Sequence, residues 1–158
     1  SGPLREKLSS LKRFDAVFIK NIEKKNYKII NIIKKINPKI KIFNSKYKIN
    51  NLNKFNLNKK FIAFSGIGNP NKFKKLLEKH KFKIIDHINF PDHYKYNKSD
   101  ISKIIKKATK LKAKIITTEK DYVKIPMVLH RKINFLDVDL MVDNKKELIN
   151  FLELRINE

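Results

Sequence analysis

The chain has 158 residues, 41% of them hydrophobic, so it is long enough to bury a core and too apolar for a disordered tail. It carries no cysteine, which excludes disulfides, thiol catalysis and cysteine-held metal, and no apolar run approaches the roughly 20 residues of a membrane-spanning helix. Its formal charge of +23 points to an anionic partner, nucleic acid or a lipid surface, but 34 of its 38 basic residues are lysines and only four are arginines, the residue that forks onto guanines and phosphates.

Taken in chain order, the pattern predicts strands alternating with helices. DAVFIK (15–20) reads as a buried strand. Ile29, Ile32, Ile33 and Ile36 then fall on one helical face, and Asn37-Pro38 stops that helix. KIKIF (39–43) alternates as a strand, while the Asn- and Lys-rich 44–60 reads as a strand or hairpin followed by a loop. Residues 61–64 form a strand that enters a glycine turn, with Asn69 as N-cap and Pro70 in the first helical turn. Phe73, Leu76, Leu77 and His80 mark the face of that helix. FKIIDHINF (82–90) is a strand, and the next helix starts at Ser99 or Asp100 with Ile101, Ile104, Ile105, Ala108 and Leu111 inward. Residues 113–125 give a strand, a turn and a short helix that Pro126 ends. INFLDVDLMV (133–142) reads as one strand, followed by a helix with an Asn144/Glu147 capping box and Leu148, Ile149 and Leu152 inward. The alternation implies a Rossmann-like three-layer α/β domain with a mostly parallel sheet, one domain over residues 1–158.

In such sheets ligands sit beyond the carboxyl ends of the strands. Three loops fall there: Ser65–Pro70, Pro91–Tyr96 and Thr117–Asp121. In SGIGNP, Gly66 and Gly68 either let backbone N–H groups approach an anion at a helix N-terminus or simply make a tight strand-to-helix turn. In TTEKD, the polar run from Thr117 to Asp121 either meets a polar ligand or only caps a helix. FPDHYKY (90–96) gathers three aromatic rings around Pro91, Asp92 and His93. Asp137 and Asp139 share a strand face, a spacing that holds a divalent metal when a third acid joins, for which Glu119 is the candidate, and that otherwise marks solvent-side acids.

Five stretches in order, GPLRE (2–6), RFDAVFI (13–19), FSGIGNPNKF (64–73), FPDHYKY (90–96) and TTEKDYVKI (117–125), resemble the C-terminal half of the tetraacyldisaccharide 4′-kinase family of lipid A biosynthesis. The resemblance implies a P-loop kinase that moves the γ-phosphoryl of ATP, with Mg²⁺, to the 4′-hydroxyl of a tetraacyl disaccharide 1-phosphate. It implies work at the cytoplasmic face of the inner membrane of Gram-negative bacteria, against an anionic membrane surface. The family's Walker loop and its DDGFQ-like acidic motif belong to an N-terminal half and are absent from these residues. That half is therefore the implied partner, it holds most of the ATP and Mg²⁺, and the chain on its own is expected to be inactive. Ser1-Gly2-Pro3, which lacks a methionine and by itself reads as a protease scar or a break in a longer chain, is expected on that resemblance to be native sequence.

The same resemblance implies catalytic roles for His93, as orienter of an acid in the other half, and for Asp92, which holds its ring. It implies substrate or nucleotide contacts from Arg5, Gly66, Gly68, Asn69, Thr118, Glu119, Lys120 and Asp121, and no metal ligand. No nucleic-acid partner is expected. Two rival readings remain from the residues themselves: a basic nucleic-acid-binding α/β domain, metal-dependent through Asp137 and Asp139, and a non-catalytic interaction domain.

Overall fold

A computed structural model of the protein describes residues 6–20 and 27–157. Within the 158 residues, contacts gather into two compact units. The first is Ser1–Lys48 together with Asp139–Glu158, and the second is Ile49–Val138.

The first unit opens with a 3-10 turn over Leu8–Arg13, then β1 (Ala16–Lys20), α1 (Tyr27–Ile36) and β2 (Lys41–Ile49), whose last residue belongs to the second unit. It closes with β7 (Val138–Val142), which starts at the last residue of the second unit, and α5 (Lys145–Ile156). The strands lie in the order β1-β2-β7, and β1 runs parallel to β2 from Ala16 opposite Lys41 to Lys20 opposite Ser45. Ile33, Ile40 and Phe43 are buried, and Phe43 packs between Phe18 and Phe151 with ring centroids 5.7 Å from each. The inward face of α1 differs from the predicted one. Ile33 is buried, with Ile30 and Ile36 partly so, while Ile29 and Ile32 stay half exposed. The run IINIIKKI offers apolar residues on two adjacent faces, so spacing does not decide between them. In α5 the Asn144 side chain caps the Glu147 N–H as predicted, but Ile149 and Leu152 are exposed.

The second unit contains β3 (Lys60–Ser65), α2 (Pro70–Lys79), β4 (Lys83–Asn89), α3 (Lys98–Lys110), β5 (Ala113–Thr118), the short α4 (Glu119–Tyr122) and β6 (Asn134–Leu136). Its sheet is wholly parallel, in the order β4-β3-β5-β6. Alternation along β3 sends Phe61 and Ala63 to one face and Ile62 and Phe64 to the other. The first pair joins Phe73 and Leu77 of α2; the second joins Ile101, Ile104 and Ala108 of α3. This is the expected three-layer α/β arrangement, with the central strands β3 and β5 buried on both faces.

Helix ends follow local chemistry. Asn69 caps α2 by accepting from the Lys72 N–H at 3.1 Å, with Pro70 in the first turn. The cap of α3 is Asn97, two or three residues before the predicted Ser99 or Asp100, in a reciprocal box with Asp100. The ambiguous segment 44–60 continues β2 to Ile49, and Phe55 then stacks edge-on against Phe61 and Phe82. The predicted single strand 133–142 is two strands in two sheets, broken at Asp137. There the buried Asn51 accepts from the Asp137 N–H at 3.1 Å and donates to the Phe135 carbonyl at 2.9 Å, while the Asn50 N–H donates to the Asp137 carbonyl at 3.0 Å. These partners, all distant in sequence, take Asp137 out of the parallel ladder.

Candidate functional site

The connection leaving β3 turns toward β4, and the one leaving β5 turns the other way, toward β6. The switch point of the sheet therefore lies between β3 and β5, the crevice where open α/β sheets take ligands. All three predicted loops converge around it.

The loop after β3 approaches the 90–96 loop closely. The Phe90 N–H donates to the Ser65 carbonyl at 2.8 Å, and the His93 N–H to the Gly66 carbonyl at 3.3 Å. A Cβ on Gly66 would stand 2.9 Å from the Tyr96 hydroxyl and 3.1 Å from the Pro91 carbonyl oxygen, so the glycine serves close approach rather than a special turn angle. The aromatic residues of FPDHYKY are the floor of its loop. Phe90 packs against Tyr94 at 4.8 Å and Tyr96 at 5.1 Å, and Tyr96 meets Phe64 edge-on at 5.5 Å. The Tyr94 hydroxyl donates to Asp100 at 3.1 Å, tying this floor to the cap of α3.

Above the floor, Asp92 and His93 reach solvent. Tyr94 closes a turn by donating its N–H to the Pro91 carbonyl at 3.2 Å, and His93 sits in that turn at φ 60°, in the left-handed region. The His93 side chain is 75% exposed, with Nε2 3.9 Å from Asp92 Oδ2. The other Asp92 oxygen lies 3.9 Å from Lys120 Nζ, and Gly68 leaves only 3.2 Å between a built Cβ and that carboxylate. Asp92 is thus where the three loops meet. At such exposure the Asp92–Lys120 ion pair is worth only about 0–1 kcal/mol.

Thr117 and Asp121 do different work. Thr117 Oγ1 donates to the Phe64 carbonyl at 2.8 Å, joining the ends of β5 and β3. Asp121 is fully buried and accepts from the Gly66 N–H at 3.0 Å, Thr118 Oγ1 at 2.7 Å and Lys124 Nζ at 3.2 Å. Beside it the Tyr96 hydroxyl is buried with no hydrogen-bond partner among the described residues. Burial, and then the Asp121 charge, push the Tyr96 pKa up, so this hydroxyl keeps its proton.

The structure therefore brings Gly66, Gly68, Asp92, His93, Thr118, Lys120 and Asp121 into one cluster. Asn69 is engaged as the cap of α2, Thr118 as the cap of α4, and Glu119 is an exposed first residue of α4. Arg5 lies outside the described residues. Lys124, just past the end of α4, was not singled out from sequence, and Tyr96 was read only as one of the aromatic rings of FPDHYKY. The Asp137 carboxylate accepts from the Asn50 side-chain amide at 3.3 Å. Among the described residues no three Asp, Glu or His side chains gather as a metal site. An open cleft of about 430 Å³ in the first unit, lined by Lys12, Lys39 and Arg155 among others, contains none of the described candidate residues.

Fold and loops together define an α/β protein of the open parallel-sheet class, with its polar and ionisable groups collected at a topological switch point. The chain belongs to the tetraacyldisaccharide-1-P 4′-kinase family (LpxK), whose family model matches residues 1–157. A tetraacyldisaccharide 4′-kinase of Pelagibacter ubique is 39% identical over 158 residues, which are 100% of this chain and 50% of that protein. One from Rickettsia canadensis is 37% identical over 147 residues, covering 91% of this chain and 43% of the relative. A crystal structure of the apo form of LpxK from Aquifex aeolicus, in complex with ATP, matches with a TM-score of 0.59 at 19% identity, covering 95% of this chain and 45% of that one. The chain spans about half the length of the curated relatives it matches. Nothing in these comparisons favours the nucleic-acid alternative.

Proposed function

We propose that these residues are the C-terminal half of an ATP-dependent kinase that phosphorylates the 4′-hydroxyl of the tetraacyl disaccharide 1-phosphate precursor of lipid A, at the cytoplasmic face of the bacterial inner membrane. The observation that carries this is family membership along the whole chain, together with a switch-point cluster that has acid–base groups but no phosphate loop. ATP and Mg²⁺ supply the phosphoryl group and its charge neutralisation, and their cradle lies in the N-terminal half. Phosphoryl transfer is mostly positioning and electrostatics, so a lobe without that cradle still has a task. His93 orients the acid that activates the acceptor hydroxyl, and Asp92 orients His93. Lys120 is the cation available to a phosphate oxygen. The exposed Phe18, Tyr27, Ile29, Ile32, Leu154 and Ile156 of the first unit support a covering partner surface, the N-terminal half.

The test is transfer of label from [γ-³²P]ATP to tetraacyl disaccharide 1-phosphate. The full-length protein carrying this chain gives a product with one more phosphate, and residues 1–158 alone give none. Absence of transfer by the full-length protein, or robust transfer by residues 1–158, overturns the reading.

A further inference from the structure

The His93 side chain is exposed and its nearest charged partner among the described residues, Asp92, stands 3.9 Å away, so its own main chain largely fixes where it points. That main chain is held at φ 60°, a conformation that a non-glycine residue keeps only when its surroundings determine it. The His93 N–H is shared between Asp92 Oδ1 at 3.0 Å and the Gly66 carbonyl at 3.3 Å, and the second of these contacts leads inward. Gly66 accepts from the His93 N–H through its carbonyl and donates its own N–H to Asp121. Gly66 has no slack to move, with the Tyr96 hydroxyl, the Pro91 carbonyl and Tyr94 Cβ packed against the side where a Cβ would stand. Asp121 in turn is anchored by Thr118 and Lys124.

We propose that Asp121 is a positioning residue for His93, acting through the Gly66 peptide: the buried carboxylate fixes Gly66, and Gly66 fixes the turn that aims the imidazole. This rests on the role given to His93 above. The charge is the working part. A buried carboxylate with three donors is a rigid, short-bonded anchor, whereas a neutral amide in its place cannot satisfy Gly66, Thr118 and Lys124 together. Thr118 and Lys124 therefore serve the site without meeting the substrate.

A double-mutant cycle in the full-length enzyme tests this. Asp121→Asn lowers kcat by about 10²-fold, the scale of a displaced positioning group, with KM for ATP unchanged. In a His93→Ala background the same substitution causes no further loss, because the residue it positions is gone. Equal loss in both backgrounds overturns the proposal and leaves the role of His93 standing. Wild-type kcat in His93→Ala alone overturns both. Should Asp121→Asn fail to fold, Thr118→Val removes one anchor of the carboxylate and keeps its charge. A smaller kcat loss that again vanishes in the His93→Ala background supports the proposal, and a loss that persists there overturns it.

Discussion

His93 occupies a backbone angle that costs an L-residue about 1–2 kcal/mol and that turns of this kind normally give to Gly or Asn. Two substitutions there separate stability from activity. His93→Ala keeps the strain and removes the imidazole, so turnover falls by about 10²–10⁴-fold while Tm stays put. His93→Gly removes both, so the protein gains about 1 kcal/mol in denaturant unfolding while turnover falls as far. His80→Ala, at the C-terminal cap of α2, is the silent control for turnover. If His93→Gly is no more stable than wild type, the strain is not stored where the geometry puts it. His87 gives a pH test. Burial first, then the Lys74 charge, lower its pKa, so the folded state holds it neutral where the unfolded chain takes up a proton, below about pH 6.5. The unfolded state then binds more protons, so stability declines as pH falls below that value. His87→Gln flattens this acid limb in urea titrations at successive pH values. The sequence named His93, Asp92 and the glycines because their loops follow strands. It did not reveal that Asp121 points inward while Lys120, its neighbour, points out, since in a four-residue helix that depends on where the turn begins.

At the scale of elements, two helices end on lysines in the left-handed region, Lys81 at φ 63° and Lys112 at φ 51°. After α2 the bonds from the Lys81 N–H to the Glu78 carbonyl and from the Phe82 N–H to the Leu77 carbonyl complete a Schellman ending, with Phe82 and Leu77 in the same apolar cluster. A chain with only three glycines makes these endings with lysine. Lys81→Gly and Lys112→Gly each raise stability by up to about 1 kcal/mol, read as a shift in the urea midpoint at unchanged m-value. In the opposite sense, Asn97→Ala removes the side chain that receives the Asp100 N–H at 2.8 Å and costs about 1 kcal/mol. Strand and helix order was legible because each carries its own period, and Asn69-Pro70 was legible as a start because capping is local. Asp137 was not legible as a break. What interrupts the strand there is Asn50 and Asn51, more than 80 residues earlier, and no local period registers such a partner. The inward face of α1 was hidden for a different reason, its isoleucines being apolar on both sides.

At the scale of the whole molecule, a charge of +23 carried mostly by lysine gives attraction without base readout. The proposed membrane attachment predicts that the protein floats with anionic vesicles at low salt and releases at high salt, each lysine near the surface contributing about 1 kcal/mol. Two unrelated DNA duplexes should compete equally and weakly; a clear preference between them would revive the nucleic-acid reading. None of the helices among the described residues is long and apolar enough to cross a membrane. The division into units has a consequence for how the protein is made. The second unit is one unbroken stretch, Ile49–Val138, whereas the first is written in two pieces on either side of it. A ribosome therefore delivers every residue of the switch-point cluster before it delivers residues 139–158. At about 5–20 residues per second, those last residues take roughly one to four seconds. For that interval the switch-point loops can already be knitted together while β2 still lacks β7 at its side, so the first unit completes its sheet only after the second has been delivered whole.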